Sequence, residues 1–322
     1  MFLPGVSTMK VYSFGIETVP VAGVSMEDGI LIIGSVREEN YKIMLLKLYY
    51  EEELKWVKFY EGKNDWEGHS IAKANNGYLI GGAVEGIATP EGGKNWKAYL
   101  AKVDENGNKI WERKYRILGN ECVYSVVPVS DGILLGGESS DDSKRGFFLM
   151  KTDLKGNPLW ERTLGSWEDA MFGGIIEGRG GFTLIGSVKD DSWKVIAFEF
   201  DWEGDIIGEK PLGNGMALDV TDLNGKILIT GDKNGEFWVS LIGEWETTLG
   251  GGTGVAVQIL NDGILVGGEL EGNAIVAKLG FDGKSVWKKK LWEEGWVEVL
   301  GRNIAFGVRN EGEKSVMVIE RF

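Results

Sequence analysis

Residues 123–165, VYSVVPVSDGILLGGESSDDSKRGFFLMKTDLKGNPLWERTLG, decide the fold. Residues 123–129 are an apolar run, and Ser130-Asp131-Gly132 is a turn. A second strand at 133–137 ends in glycine, and the polar residues 138–145 form a loop. Residues 146–152 read as a third strand and 159–164 as a fourth, which Gly165 stops. Between them Asp153-Leu154-Lys155-Gly156 is a hairpin turn, because glycine readily takes the positive φ that a tight turn needs. The segment is too short in its runs and too rich in glycine, Val, Ile, Trp and Tyr for helices.

The same phrase recurs along the chain. Apolar runs closing on glycine end at Gly34, Gly81, Gly136, Gly186, Gly231, Gly267 and Gly307. Their separations of 47, 55, 50, 45, 36 and 40 residues bracket the length of one four-stranded repeat. The first turn returns at Asp28-Gly29, Asn76-Gly77, Asn224-Gly225 and Asp262-Gly263. The second returns at 104–107, 201–204 and 281–283. Tryptophan follows that second glycine by four residues at Trp111, Trp160 and Trp287, and Trp56 and Trp245 hold the equivalent strand position. Gly208 stands where the fourth unit should have its tryptophan, and Trp202 is the candidate to fill that space from the turn.

Repeated units of four antiparallel strands joined by short hairpins build a β-propeller. The expected fold is all-β, with seven blades at about 21–62, 67–118, 122–165, 171–213, 216–250, 254–292 and 296–322 plus 9–17. The seventh unit runs out of chain after three strands, so residues 10–15 are expected to supply its outer strand and cover the open edge. The paired glycines Gly81-Gly82, Gly136-Gly137 and Gly267-Gly268 fit a crowded axis where a side chain would collide.

The segments 104–115 (DENGNKIWERKY) and 76–82 (NGYLIGG) resemble a large group of uncharacterised prokaryotic β-propeller repeat proteins. The consensus of that group alternates D-x-N-G-x-x-x-W-x-K-x-Y/L-G with D-G-G-Y-I-V-A-G. The glycine-to-tryptophan spacing is similar to that of quinoprotein-like propellers, which implies a structural tryptophan between blades. No matching set of quinone or calcium ligands is present to carry over. The resemblance implies a propeller and is nearly silent on activity.

Composition narrows the partners. Lys+Arg 35 against Asp+Glu 49 gives a net charge of −14, which repels phosphate backbones and disfavours nucleic acid. One Cys and one His exclude an intramolecular disulfide and the usual Cys/His zinc sets. No metal or cofactor is expected. There is no leader-like N-terminus and no 18-residue apolar window, so a cytoplasmic, membrane-free monomer is expected. Abundant Lys and Glu with a single glutamine, Gln258, resemble the composition of hyperthermophile proteins.

Loops joining fourth to first strands and second to third strands share one face, where ligand sites gather. That face is expected to hold Trp66, Glu67 and His69; Glu121 and Cys122; Trp167, Glu168 and Asp169; and Trp292, with Trp193 and the segment 87–96 on longer loops. His69 suits a general base or a ligand, or simply a satisfied polar side chain. Cys122 reads as a small buried apolar residue before it reads as a nucleophile. Trp66, Trp167, Trp193 and Trp292 are the candidate ligand-binding aromatics, being placed where rings are exposed. The acidic loops lack a D-x-D-x-D-G calcium pattern. The glycine-rich run 250–254 lacks the lysine of a P-loop and reads as a turn between blades.

Three functions compete. The first is a non-catalytic platform binding a protein partner or small ligand on the loop face. The second is a carbohydrate-active enzyme using carboxylates among Glu67, Glu121, Glu168 and Asp169, beside His69. The third is a metal- or cofactor-binding propeller. Fold alone does not choose among them.

Overall fold

The innermost strand of every repeat carries one residue too many for its partner, and the rest of the architecture is arranged around that bulge. The computed structural model describes residues 9–49, 53–86, 95–141, 143–301 and 303–322, and contains strands and turns but no helix among them. Blade 1 is Glu17–Ser25, Gly29–Arg37, Tyr41–Tyr49 and Leu54–Tyr60. Blade 2 is Trp66–Ala74, Gly77–Glu85, Trp96–Val103 and Lys109–Tyr115, and blade 3 is Asn120–Val129, Gly132–Ser140, Arg145–Thr152 and Pro158–Trp167. Blade 4 is Asp169–Gly178, Gly181–Lys189, Trp193–Phe200 and Ile206–Asn214. Blades 5 and 6 share the strand Trp245–Leu260, and blade 7 is built from Gly295–Leu300, Ile304–Glu311, Lys314–Arg321 and Lys10–Tyr12. The protein is a seven-bladed β-propeller.

The N-terminal strand closes the last blade. Lys10, Val11 and Tyr12 pair antiparallel with Ile319, Val318 and Met317. The strand is shorter than residues 10–15, because the chain bends at Phe14, Gly15 and Ile16 to reach blade 1, where Ile16 N–H donates to the Arg37 carbonyl at 2.7 Å. The run 250–254 is not a turn. Gly251 pairs with Glu236 of blade 5 and Gly252 with Leu270 of blade 6, so the chain passes between blades in one extended strand. Gly250 and Gly252 take φ of +126° and +151°, which lets it swing across without breaking its ladders.

Second and third strands are flanked on both sides and are buried almost throughout, hence their unbroken apolar runs. Alternate residues serve opposite interfaces. Leu31 and Ile33 pack toward blade 2, while Ile30 and Ile32 pack toward blade 7. The seven apolar clusters found among the described residues each straddle two neighbouring blades. Fourth strands alternate toward solvent and carry many Lys, Arg and Glu, which blunt the open edge.

The fourth-strand tryptophans tie blade to blade. Trp56, Trp111, Trp160 and Trp245 lie on the hairpin-turn glycines Gly107, Gly156, Gly204 and Gly283 of the following blade, where an added Cβ would meet the rings at 2.5–3.0 Å. Blade 7 has no such hairpin, and there Trp287 packs against Phe322 at 5.9 Å. Gly208 lacks a ring, and blade 5 offers a different turn through Gly243. Trp202 does not fill that gap. It packs against Phe182 at the interface of blades 3 and 4, and Trp238 of blade 5 fills the interface of blades 4 and 5.

Tyr12 and Phe14 add apolar contact to the closing interface. Deleting residues 1–15, of which 1–8 lie outside the described residues, is expected to remove ~2–3 kcal/mol of burial and lower Tm by about 3–5 °C. An unchanged calorimetric transition would show that the N-terminal strand does not hold the ring.

Candidate functional site

The bulges aim seven residues at the propeller axis. The register slips between Pro20 and Ala22, Gly68 and Ser70, Val123 and Ser125, Phe172 and Gly174, Ala217 and Asp219, Gly254 and Ala256, and Val297 and Val299. The extra residues are Val21, His69, Tyr124, Gly173, Leu218, Val255 and Glu298, and all seven line one central cavity of about 440 Å³. An unpaired bulge residue bends its strand and redirects its side chain, so the channel wall is a ring of bulge residues.

A bulge also strands backbone N–H groups, and the preceding blade supplies acceptors for them. Gly68 N–H donates to Ser35 Oγ at 3.2 Å, Val126 to Ser70 Oγ at 3.0 Å and Ala217 to Ser187 Oγ at 2.7 Å. Phe172 N–H donates to a Glu138 carboxylate oxygen at 2.8 Å, and Val257 N–H to Asp219 at 2.8 Å. These five bonds run from one blade to the next at the inner wall, and they explain why Ser35, Ser70 and Ser187 are buried.

Blades 2 and 3 place a polar cluster in this ring. His69 Nε2 lies 3.3 Å from Glu67 Oε2, and its ring centroid is 4.9 Å from that of Tyr124. Cys122 is half-buried beside this cluster, close enough to His69 and Tyr124 to act on the titration of both. Burial works to lower the His69 pKa, but Cys122 and Glu67 outweigh it and raise it to about 10. Burial, Cys122 and Glu138 push Tyr124 up, and burial also raises Glu138. On the other side of blade 1, Glu298 accepts a bond from Trp296 Nε1, and burial still raises its pKa to about 7. Asp219 is raised to about 7 by burial, against the two backbone donors Val257 and Val220.

The structure separates the residues expected from sequence. His69 lines the channel, and Glu67 is held beside it. Glu121 is wholly buried, and one of its oxygens accepts from the backbone N–H groups of Leu118 and Gly119, closing the turn into blade 3. Asp169 pairs with Arg145 at 3.3 Å, tying the start of blade 4 to the third strand of blade 3, and Glu168 is exposed. Trp66 and Trp292 are not surface rings, being 6% and 4% exposed. The strands extend through both positions. Trp66 lies 5.1 Å from Tyr99 beneath the Lys114 ammonium, and Trp292 Nε1 donates to the Val308 carbonyl at 2.8 Å. Trp167 is half-buried against Phe147 and Phe198, and Trp193 is half-buried at the start of its strand. Residues 87–94 lie outside the described residues. Among those described, no three His, Cys, Asp or Glu side chains are grouped to hold a metal ion.

Tyr124, Asp219 and Glu298 are channel residues that sequence reading missed, as was Glu138 behind them. A signal was present: the bulge residue precedes a repeat glycine by thirteen positions in six blades, as Tyr124 precedes Gly137.

No family model matches the chain, and no curated protein matches it. Many solved structures do. A puromycin hydrolase is 13% identical with a TM-score of 0.62, covering 94% of this chain, which spans about half (52%) of the hydrolase. The WD40 propeller domain of Doa1 is 11% identical, TM-score 0.56, with 98% and 97% of the two chains covered. The β-propeller domain of the Trilobed protease from Pyrococcus furiosus, described as having an open velcro topology, is 10% identical, TM-score 0.52, with 94% of each covered. These likenesses establish the fold alone.

His69 sets a pH dependence. Its raised pKa means that its contribution to stability is fully present below about 6.5, the unfolded value, and is lost as pH rises through about 10. His69→Gln is therefore expected to lower Tm at pH 6 and to differ little from the parent above pH 10.5. A gap in Tm that stays constant from pH 6 to pH 10.5 would show that His69 is not held charged.

Proposed function

We propose that the protein is a non-catalytic binding platform that seats the ammonium group of a small ligand in its central channel. Glu298 carries this reading: a half-buried carboxylate at a bulge position of a cavity that Val21, Leu218, Val255, Tyr124 and Phe172 line beside His69, Asp219 and Gln258. Burial makes its charged form costly, His69 offsets part of that cost, and an ammonium group beside it would offset the rest. Tyr124 and Phe172, stacked with centroids 6.3 Å apart, add ring faces of the kind that attract ammonium groups. A cavity of about 440 Å³ suits a small molecule. The net charge of −14 would steer cations toward the mouth.

Glycoside cleavage has less support. It needs two free carboxylates facing one bond. Glu121 serves the turn into blade 3 and Asp169 serves Arg145. The likeness to a hydrolase and a protease domain rests on fold at 10–13% identity and carries no activity with it.

Titration calorimetry with butylammonium and tetramethylammonium chloride tests the reading. Binding is expected to tighten as pH rises through about 7, because Glu298 must ionise. Glu298→Gln keeps an acceptor for Trp296 and is expected to weaken binding by about tenfold or more. Acetate binding in place of ammonium, or Glu298→Gln binding as the parent does, would contradict it.

A further inference from the structure

Four blades carry a lysine at one register position of the third strand. Lys47, Lys102, Lys151 and Lys278 stand opposite Leu31, Leu79, Leu134 and Leu265. In blades 1, 3 and 6 the ammonium reaches back to the aspartate of the first hairpin turn: Lys47 to Asp28 at 3.1 Å, Lys151 to Asp131 at 2.8 Å and Lys278 to Asp262 at 2.6 Å. In blade 2 the turn reads Asn75-Asn76-Gly77, and the aspartate is replaced by Asn76. Lys102 consequently has no ion pair or side-chain hydrogen bond among the described residues, although it is half-buried. Lys73, on the adjoining first strand, stands opposite Tyr78, so it points to the other face of the sheet and is exposed there.

Lys102 lines a groove between blades 2 and 3, about 480 Å³ in volume and distinct from the central channel. Leu79, Val129, Ile133 and Leu154 supply apolar walls, and Leu154 is 59% exposed there. The break in the repeat thus leaves one uncompensated cation beside an apolar surface, in a protein whose net charge is −14.

We propose that this groove binds a small amphipathic carboxylate, whose head group takes the place of the missing turn aspartate beside Lys102 and whose aliphatic body lies along Val129 and Leu154. The choice of head group follows from the other blades, where the same lysine is satisfied by a carboxylate. The aliphatic body follows from the walls, which offer no further polar side chain to a larger polar ligand beyond Asn75 and Ser130. The site is independent of the channel and of whatever binds there.

Calorimetric titration of the full chain with sodium octanoate tests this. The parent is expected to bind octanoate, to bind acetate far more weakly and not to bind octylammonium. Lys102→Met is expected to weaken octanoate binding by about tenfold or more. Asn76→Asp restores the carboxylate of the other blades at a left-handed position that Asp tolerates, and is expected to compete with the ligand and weaken it similarly. Lys278→Met removes the equivalent lysine from blade 6 and should leave octanoate binding unchanged. If octanoate does not bind the parent, or binds Lys102→Met and the parent equally, the proposal is overturned. Lys102→Met decides the matter even if Asn76→Asp fails to fold.

Discussion

A single backbone irregularity, repeated seven times, organises this molecule. Each innermost strand bulges at one residue, and the residue before the bulge stands opposite a glycine of the second strand: Gly34, Gly82, Gly137, Gly186, Gly231, Gly268 or Gly307. In six of these seven an added Cβ would run into a backbone carbonyl oxygen of the innermost strand, as Gly137 would meet that of Cys122. At Gly186 the obstacle is the Phe147 ring of the preceding blade. The bulge thus dictates the repeat glycine, strands the N–H groups that the preceding blade must cap, and points one residue per blade into the channel.

This constraint also explains what could be read from sequence. Turn chemistry is local, so Asp104 and Asp153, which accept the backbone N–H groups two and four residues onward, announce their hairpins directly. The tryptophan positions repeat with those turns and were legible as packing between blades. The glycine repeat gave the blade count but slipped by one where glycines are paired. Gly82, not Gly81, faces the bulge of its own blade, whereas Gly81 packs on Val126 and Val123 of the next. An alternation rule cannot see an extra residue, so Tyr124 was hidden although its spacing from a glycine is regular, and Glu298 lacks even that spacing. The exposure of Trp66 and Trp292 was misjudged because loops were assigned where strands continue and neighbouring blades cover the rings.

Function concentrates where the repeat departs from itself. Among the bulge residues, Val21, Leu218 and Val255 make a bland wall, while His69, Tyr124 and Glu298 make it chemically specific. At the hairpin turns the same logic holds: an aspartate–lysine pair is scaffold in three blades, and its loss at Asn76 leaves charge available. Buried carboxylates such as Asp219 and Glu138 show the converse. Their burial near the inner wall suggests chemistry, yet each accepts a stranded N–H from the next blade and so belongs to the frame.

The most direct measurement of the central claim compares two glycine-to-alanine substitutions by denaturant unfolding. Gly137 faces the carbonyl of the bulged strand, whereas Gly180 has no heavy atom within 4 Å of an added Cβ and no positive φ. Gly137→Ala is expected to cost about 1–3 kcal/mol through overpacking. Gly180→Ala is expected to be neutral or to stabilise by about 0.4–1 kcal/mol by restricting the unfolded chain. If Gly137→Ala proves as well tolerated as Gly180→Ala, the bulge does not dictate the glycine repeat and the account of the fold fails.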